Sequence, residues 1–203
     1  MTIKNFVLGL LSNNTYLAIN ETNKTCFLVD PSTPSKEVAE YIETNGLKLD
    51  GILLTHGHFD HIGGVKFFKD KFGAKVYMHE EDVDFIGNPL KISRRYDKFT
   101  VDVLVGDGDE LELCGSKIKV LHTPGHSLGG VCYILDNVIF CGDTIFDRSY
   151  GRTDLRGGNF CQLYESIKKI LDIQGCYTLL CGHGAPTTSE LERAHNPIFG
   201  DGY

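Results

Sequence analysis

Four side chains of metal-ligating type crowd into six positions of this chain, in Thr55-His56-Gly57-His58-Phe59-Asp60-His61. Imidazole nitrogens mixed with a carboxylate suit a zinc or iron ion. The spacing has a geometric meaning. His56 and His58 lie two apart on an extended segment, so both rings can face the same way and share one metal. Asp60 and His61 lie beyond a turn and could reach a second metal nearby. Gly57, Gly63 and Gly64 let the backbone turn tightly and approach a ligand closely.

Three other segments repeat the placement. An apolar run ends at Leu121 and is followed by His122-Thr123-Pro124-Gly125-His126. A second ends at Cys141, before Gly142-Asp143-Thr144, and a third at Cys181, before Gly182-His183-Gly184. Each potential ligand follows a strand-like run and sits beside Gly, where rigid scaffolds present functional groups. Taken alone, His126 reads as a loop residue and Asp143 as a turn residue. Together with the dense segment they make a set of seven, His56, His58, Asp60, His61, His126, Asp143 and His183. Such a set suits two metals sharing one carboxylate and one water. His122 is expected to orient a ligand from behind, and His79 and His195 to be ordinary packing or surface residues.

Holding these groups falls to strands and helices in alternation. Val-, Ile-, Leu- and Phe-rich runs predict strands near 16–19, 25–30, 50–55, 74–78, 110–113, 117–122, 131–135, 138–141 and 177–181. Helical spacing predicts helices near 35–45, 61–72, 80–86, 159–173 and 187–195, with Gly46 and Gly73 as stops. Thr187 with Glu190 reads as a capping box. The pattern is that of sheets covered by helices, a layered α/β architecture in one domain spanning 1–203. Charge arithmetic, 20 Lys+Arg against 27 Asp+Glu, gives a net −7 and argues against a broad nucleic-acid surface. Arg94-Arg95 is a short basic patch in the 87–105 loop, read as a solvated face. The apolar run from Phe6 to Leu11 is far too short to span a membrane and lacks a signal-peptide layout. A soluble cytoplasmic chain is the expectation. Seven Cys, with no Cys-x-x-Cys pair, read as small buried hydrophobes in a reducing compartment.

The ordered motifs resemble the metallo-β-lactamase-fold hydrolases, and within them the glyoxalase II (hydroxyacylglutathione hydrolase) branch. Asn14-Thr15-Tyr16-Leu17, Leu28-Val29-Asp30-Pro31, Thr55 to Gly64, Thr123-Pro124-Gly125-His126-Ser127, Gly142 to Phe146, Gly151-Arg152-Thr153-Asp154 and Gly182-His183-Gly184 carry the likeness. The resemblance implies a four-layer αβ/βα sandwich with metals at one edge between two sheets. It implies that His56, His58 and His126 hold one metal, that Asp60, His61 and His183 hold the other, and that Asp143 bridges. It implies two divalent ions, zinc foremost, with iron or manganese as alternatives. β-Lactamases of this family usually carry Arg where this chain has His61, which points away from antibiotic hydrolysis. Ser32 departs from the Gly that often follows the Asp-Pro pair. Only 20 residues follow His183, where longer glyoxalase II enzymes carry a helical extension that helps bind glutathione. Arg152 falls where those enzymes have a basic residue near the substrate. It could clamp a substrate carboxylate or pair with Asp154.

The expected activity is hydrolysis of a small-molecule thioester by a metal-bridging hydroxide that Asp60 orients. A thiol leaves with a pKa of about 8.5 and needs no strong general acid. An iron-dependent persulfide dioxygenase, whose members share a segment like Gly151 to Asp154, is the runner-up. A lactone or small-ester hydrolase is a third option, and a metal-storing or metal-sensing site a fourth.

Overall fold

Near-continuous apolar runs along the central strands Asn13–Asn20, Thr25–Val29 and Val138–Gly142 give each of them two buried faces, and the fold uses both. The computed structural model describes residues 1–86 and 98–200, so Arg94 and Arg95 lie outside the described residues. One sheet holds β1 (Thr2–Leu8), β2 (Asn13–Asn20), β3 (Thr25–Val29), β4 (Lys48–Leu53), β5 (Lys75–His79) and β6 (Val103–Val105), in that order. β1 to β3 pair antiparallel and β3 to β6 parallel. The second sheet uses β7 (Glu110–Leu113), β8 (Ser116–His122), β9 (Val131–Leu135), β10 (Val138–Gly142), β13 (Thr178–Cys181) and β14 (Thr187–Thr188), in the order β14-β13-β10-β9-β8-β7. β11 (Ile145–Phe146) and β12 (Ser149–Tyr150) form a small separate hairpin.

Side chains sort by parity. Tyr16, Ala18, Phe27 and Val29 of the first sheet meet Val131, Tyr133, Leu135 and Phe140 of the second in one buried cluster. Their neighbours Leu17, Ile19, Cys26 and Leu28 point the other way, onto helices α1 (Lys36–Thr44) and α3 (Val65–Phe72). On the far side, Cys132, Ile139 and Cys141 pack on α4 (Phe160–Leu171). The result is four layers: helices, sheet, sheet, helices. Each fully buried Leu, Ile or Phe contributes about 1.5–3 kcal/mol, and three such clusters hold the frame. Cys26, Cys114, Cys132, Cys141 and Cys181 are buried, while Cys161 and Cys176 are exposed. Among the described residues no helix is long and apolar enough to cross a membrane.

Several local expectations need correction. The 61–72 helix is two pieces, α2 (Phe59–Ile62) and α3, separated by Gly63-Gly64. The 80–86 segment is a 3-10 turn, Glu80–Phe85. The last long helix, α5, runs Ser189–His195 and is capped by Thr188, whose hydroxyl accepts from Leu191 N; Thr187 instead donates to Glu192 at 2.6 Å. β1 escapes the alternation test because it is an edge strand with only Phe6 buried.

The two sheets are stitched at one edge. Asn14 N donates to Gly182 O at 2.7 Å and Val131 N to Thr55 O at 2.8 Å. Tyr16 Oη donates across to Cys181 O at 2.7 Å, and Tyr133 Oη returns to Leu54 O at 2.9 Å. Those bonds fix the edge to which the candidate ligands belong.

Candidate metal centre

Strands β4, β8, β10 and β13 end at this edge, and the loops beyond them bring all seven candidate ligands together. His56, His58 and His126 form one group with ligand atoms within 4.8 Å of one another, and Asp60, His61 and His183 form another. Asp143 touches both. Its Oδ2 lies 3.6 Å from His126 Nε2 and 3.5 Å from His183 Nε2, and its Oδ1 lies 3.3 Å from His61 Nε2. Asp60 Oδ2 is 3.4 Å from His183 Nε2.

Outer partners set the tautomers. His61 Nδ1–H donates to Asp30 Oδ2 at 2.9 Å, His126 Nδ1–H to Arg152 O at 2.8 Å and His183 Nδ1–H to Leu11 O at 3.1 Å. Thr55 Oγ1 donates to Asp30 Oδ2 and so receives His56 Nδ1–H at 3.0 Å. Four rings therefore spend Nδ1 on an outer partner and turn Nε2 inward. His58 instead presents Nδ1, 2.8 Å from His126 Nε2. Buried His56 Nε2, His61 Nε2 and Asp143 Oδ1 have no hydrogen-bond partner. Buried acceptors aimed at one another are costly unless a cation sits among them. The donor set thus fits divalent metal.

The electrostatics agree. Burial, reinforced by neighbouring rings, pushes His56 well below the ordinary histidine value and His58 down to about 4, so both offer lone pairs at neutral pH. Burial also dominates the lowering of His126. For Asp60 and Asp143 burial favours the neutral acid, but surrounding imidazoles outweigh it and keep both carboxyls below their ordinary range. His61 shows the opposite balance: burial opposes its charge, yet Asp143 and Asp30 raise it well above the usual value. A positive charge belongs at that point, and a metal can supply it in place of the proton. Gly182 is required here, because a Cβ would lie 2.2 Å from Asp143 Oδ1 and 2.7 Å from His61 Cε1.

Three supporting residues were not identified as site residues from the sequence. Asp30, at the end of β3, carries the same signal as the ligands, a polar group closing an apolar strand. It accepts Thr55 N as well as Thr55 Oγ1 and His61. Asn13 donates to Asp60 Oδ2 at 2.9 Å. Asp82 sits among the acidic residues Glu80, Glu81 and Asp84, yet it is wholly buried. The guanidinium of Arg152 makes a two-pronged pair with exposed Asp154, at 2.7 and 2.6 Å, and reaches the site through its backbone carbonyl. His122 does not orient a ligand. It donates to Leu128 O and stacks on His79, with ring centroids 4.3 Å apart and planes 4° from parallel. With Glu81 these rings form a further ligand-type group. Parallel rings hold their in-plane lone pairs parallel rather than convergent, and His79 Nδ1 already accepts Glu81 N–H.

Comparison with known proteins gives consistent results. A family model described as the metallo-β-lactamase superfamily matches residues 8–183. An uncharacterized protein of Mycobacterium leprae is 35% identical, over 98% of this chain and 99% of its own length. The hydroxyacylglutathione hydrolase of Pelagibacter ubique is 34% identical, over 86% of this chain and 67% of its own. Among solved structures, the BLEG-1 B3 metallo-β-lactamase has a TM-score of 0.92 at 34% identity, covering 98% of this chain and 100% of that one. TTHA1623 in a di-iron-bound form has a TM-score of 0.86 at 33% identity, covering 97% and 100%. ETHE1 from Myxococcus xanthus has a TM-score of 0.78 at 27% identity, covering 97% and 84%.

Proposed function

The chain belongs to the metallo-β-lactamase superfamily, and we propose that within it the chain is a metal-dependent hydrolase of small-molecule thioesters such as hydroxyacylglutathione. The observation that carries the proposal is the shared carboxylate: Asp143 lies between a three-His group and an Asp-His-His group. His56, His58 and His126 would hold one ion, Asp60, His61 and His183 a second, and Asp143 would contact both. Two divalent ions there, zinc by preference and iron or manganese otherwise, would acidify a water and polarise the substrate carbonyl.

The chain's own groups do the rest. Asp60, kept anionic and fixed by Asn13, orients the attacking water. Asp30, Thr55, Leu11 O and Arg152 O lock the ring orientations, so little reorganisation accompanies the reaction. No carboxyl of the set stays protonated near neutral pH to serve the leaving group. A thiolate needs no such help, since thiols ionise at about 8.5. Leu11, whose carbonyl holds His183, and Phe59, next to Asp60 in the chain, are each about half exposed and suit the apolar part of an acyl group. The likeness to a hydroxyacylglutathione hydrolase supports the same substrate class.

The likeness to a B3 metallo-β-lactamase favours a second reading, opening of a β-lactam ring by the same site. A panel of lactoylglutathione, other thioesters, a lactone, a β-lactam and glutathione persulfide, with bound metal and oxygen uptake measured alongside, separates these. Thioester hydrolysis without oxygen uptake is expected, and Asp143→Ala should lose both metal and rate. Undiminished metal and rate in that variant would sink the assignment.

A further inference from the structure

Asp82 lies in the 3-10 turn Glu80–Phe85, outside the seven candidate ligands, and is wholly buried. Its carboxylate makes three short hydrogen bonds. Oδ2 accepts Gly57 N at 2.8 Å and Ser127 Oγ at 2.7 Å, and Oδ1 accepts Gly129 N at 2.7 Å. All three donors are neutral. A buried carboxylate held only by neutral donors is a poor stabilising device compared with apolar packing, so its position calls for another explanation.

The donors supply one. Gly57 separates His56 from His58, and Ser127 follows His126. The first loop leaves β4 of one sheet and the second leaves β8 of the other. One carboxylate thus bolts together the two loops that carry the three-His group. The loops are shaped around it. A Cβ at Gly57 would lie 2.8 Å from Asp82 O, and one at Gly129 would lie 2.8 Å from Asp82 N and 2.9 Å from Asp82 Cβ. The rings so fixed are close: His58 and His126 centroids are 4.5 Å apart, and His56 and His126 are 4.9 Å apart. The Asp-His-His group has its own anchors in Asp30 and Asn13.

We propose that Asp82 is a positioning residue that selectively sets the affinity and geometry of the metal held by His56, His58 and His126, by clamping the Gly57 and Ser127–Gly129 backbones together. It rests on the assignment of two metals to this site. The test is a Co²⁺ titration of chelator-treated wild type, Asp82→Asn and Ser127→Ala, following affinity and visible absorption for each equivalent, with urea unfolding of the metal-free proteins. Asn must turn a donor toward at least one of the three donors that Asp82 satisfies. In that variant one equivalent should weaken by about 10–100-fold with an altered spectrum, the other keeping its affinity. Ser127→Ala, which releases one bond and keeps the charge, should weaken the same equivalent less. Equal weakening of both equivalents, or wild-type affinity and spectrum in folded Asp82→Asn, would overturn the proposal. Should Asp82→Asn fail to fold, unchanged binding by Ser127→Ala would overturn it. A wild type that takes up no second ion would instead remove the two-metal premise.

Discussion

Asp30→Asn changes a single atom and should reprogram two imidazoles. In the native site Oδ1 accepts Thr55 N at 2.8 Å, while Oδ2 accepts both Thr55 Oγ1 at 2.6 Å and His61 Nδ1 at 2.9 Å. A backbone N–H can only donate, so the Asn carbonyl must stay where Oδ1 is. The amide NH₂ then replaces Oδ2 and can only donate. His61 must accept at Nδ1, and its proton moves to Nε2, facing Asp143 Oδ1. Thr55 Oγ1 must also accept from the amide, so it turns its own proton toward His56 Nδ1, 3.0 Å away. His56 then carries its proton on Nε2 as well. Each candidate metal position loses one lone pair. Loss of such an orienting partner typically costs about 10–100-fold in metal affinity, roughly 1.4–2.7 kcal/mol per ion. Competition with a chromophoric chelator gives both affinities, and long-range ¹⁵N–¹H correlation of the metal-free protein gives the tautomers. Wild-type affinity for both ions, or His61 still protonated at Nδ1, would refute the reasoning.

Gly182→Ala places a Cβ 2.2 Å from Asp143 Oδ1; it should abolish tight binding of at least one ion, and full loading in a metal-content measurement would contradict this. Arg152→Ala removes an exposed, solvent-screened pair and should leave the urea-derived stability close to that of the wild type. If the side chain also clamps substrate, KM should rise for a carboxylate-bearing thioester and not for a neutral one, and equal KM changes would exclude that contact. In chelator-treated protein, His58 takes a proton at about 4 when folded but near the ordinary 6.5 when unfolded. The unfolded state binds more protons between those values, so this group's contribution is intact above 6.5 and is lost as pH falls toward 4. His58→Asn should flatten that part of the stability–pH curve, and an unchanged slope would contradict the environment assigned to the ring.

Legibility in the sequence followed the range of each interaction. Strand parity is local, so the unbroken apolar runs Tyr16 to Ile19 and Ile139 to Cys141 already contained the two-faced sheets. The dense His56–His61 segment and the Gly-flanked polar residues after β8, β10 and β13 marked the candidate ligands by the same local rule. What stayed hidden depends on groups far apart in the chain. Asp82 sits in an acidic run and is buried only because the turn folds under loops separated from it by 25 and 45 residues. The His79–His122 stack joins the ends of strands in different sheets, and no spacing rule connects them. Thr187 and Thr188 are chemically equal candidates for a cap. Only the demand of Glu192 for a hydroxyl assigned one of them elsewhere.

The proposed function requires that seven side chains of this edge hold two metal ions around Asp143. Anomalous diffraction at the metal edge, from crystals of the metal-loaded protein, tests it most directly. Two peaks should appear on either side of the Asp143 carboxylate, one about 2.0–2.1 Å from nitrogens of His56, His58 and His126. The other should lie among Asp60, His61 and His183. A single peak, or density beside His79 and His122 instead, would contradict the account.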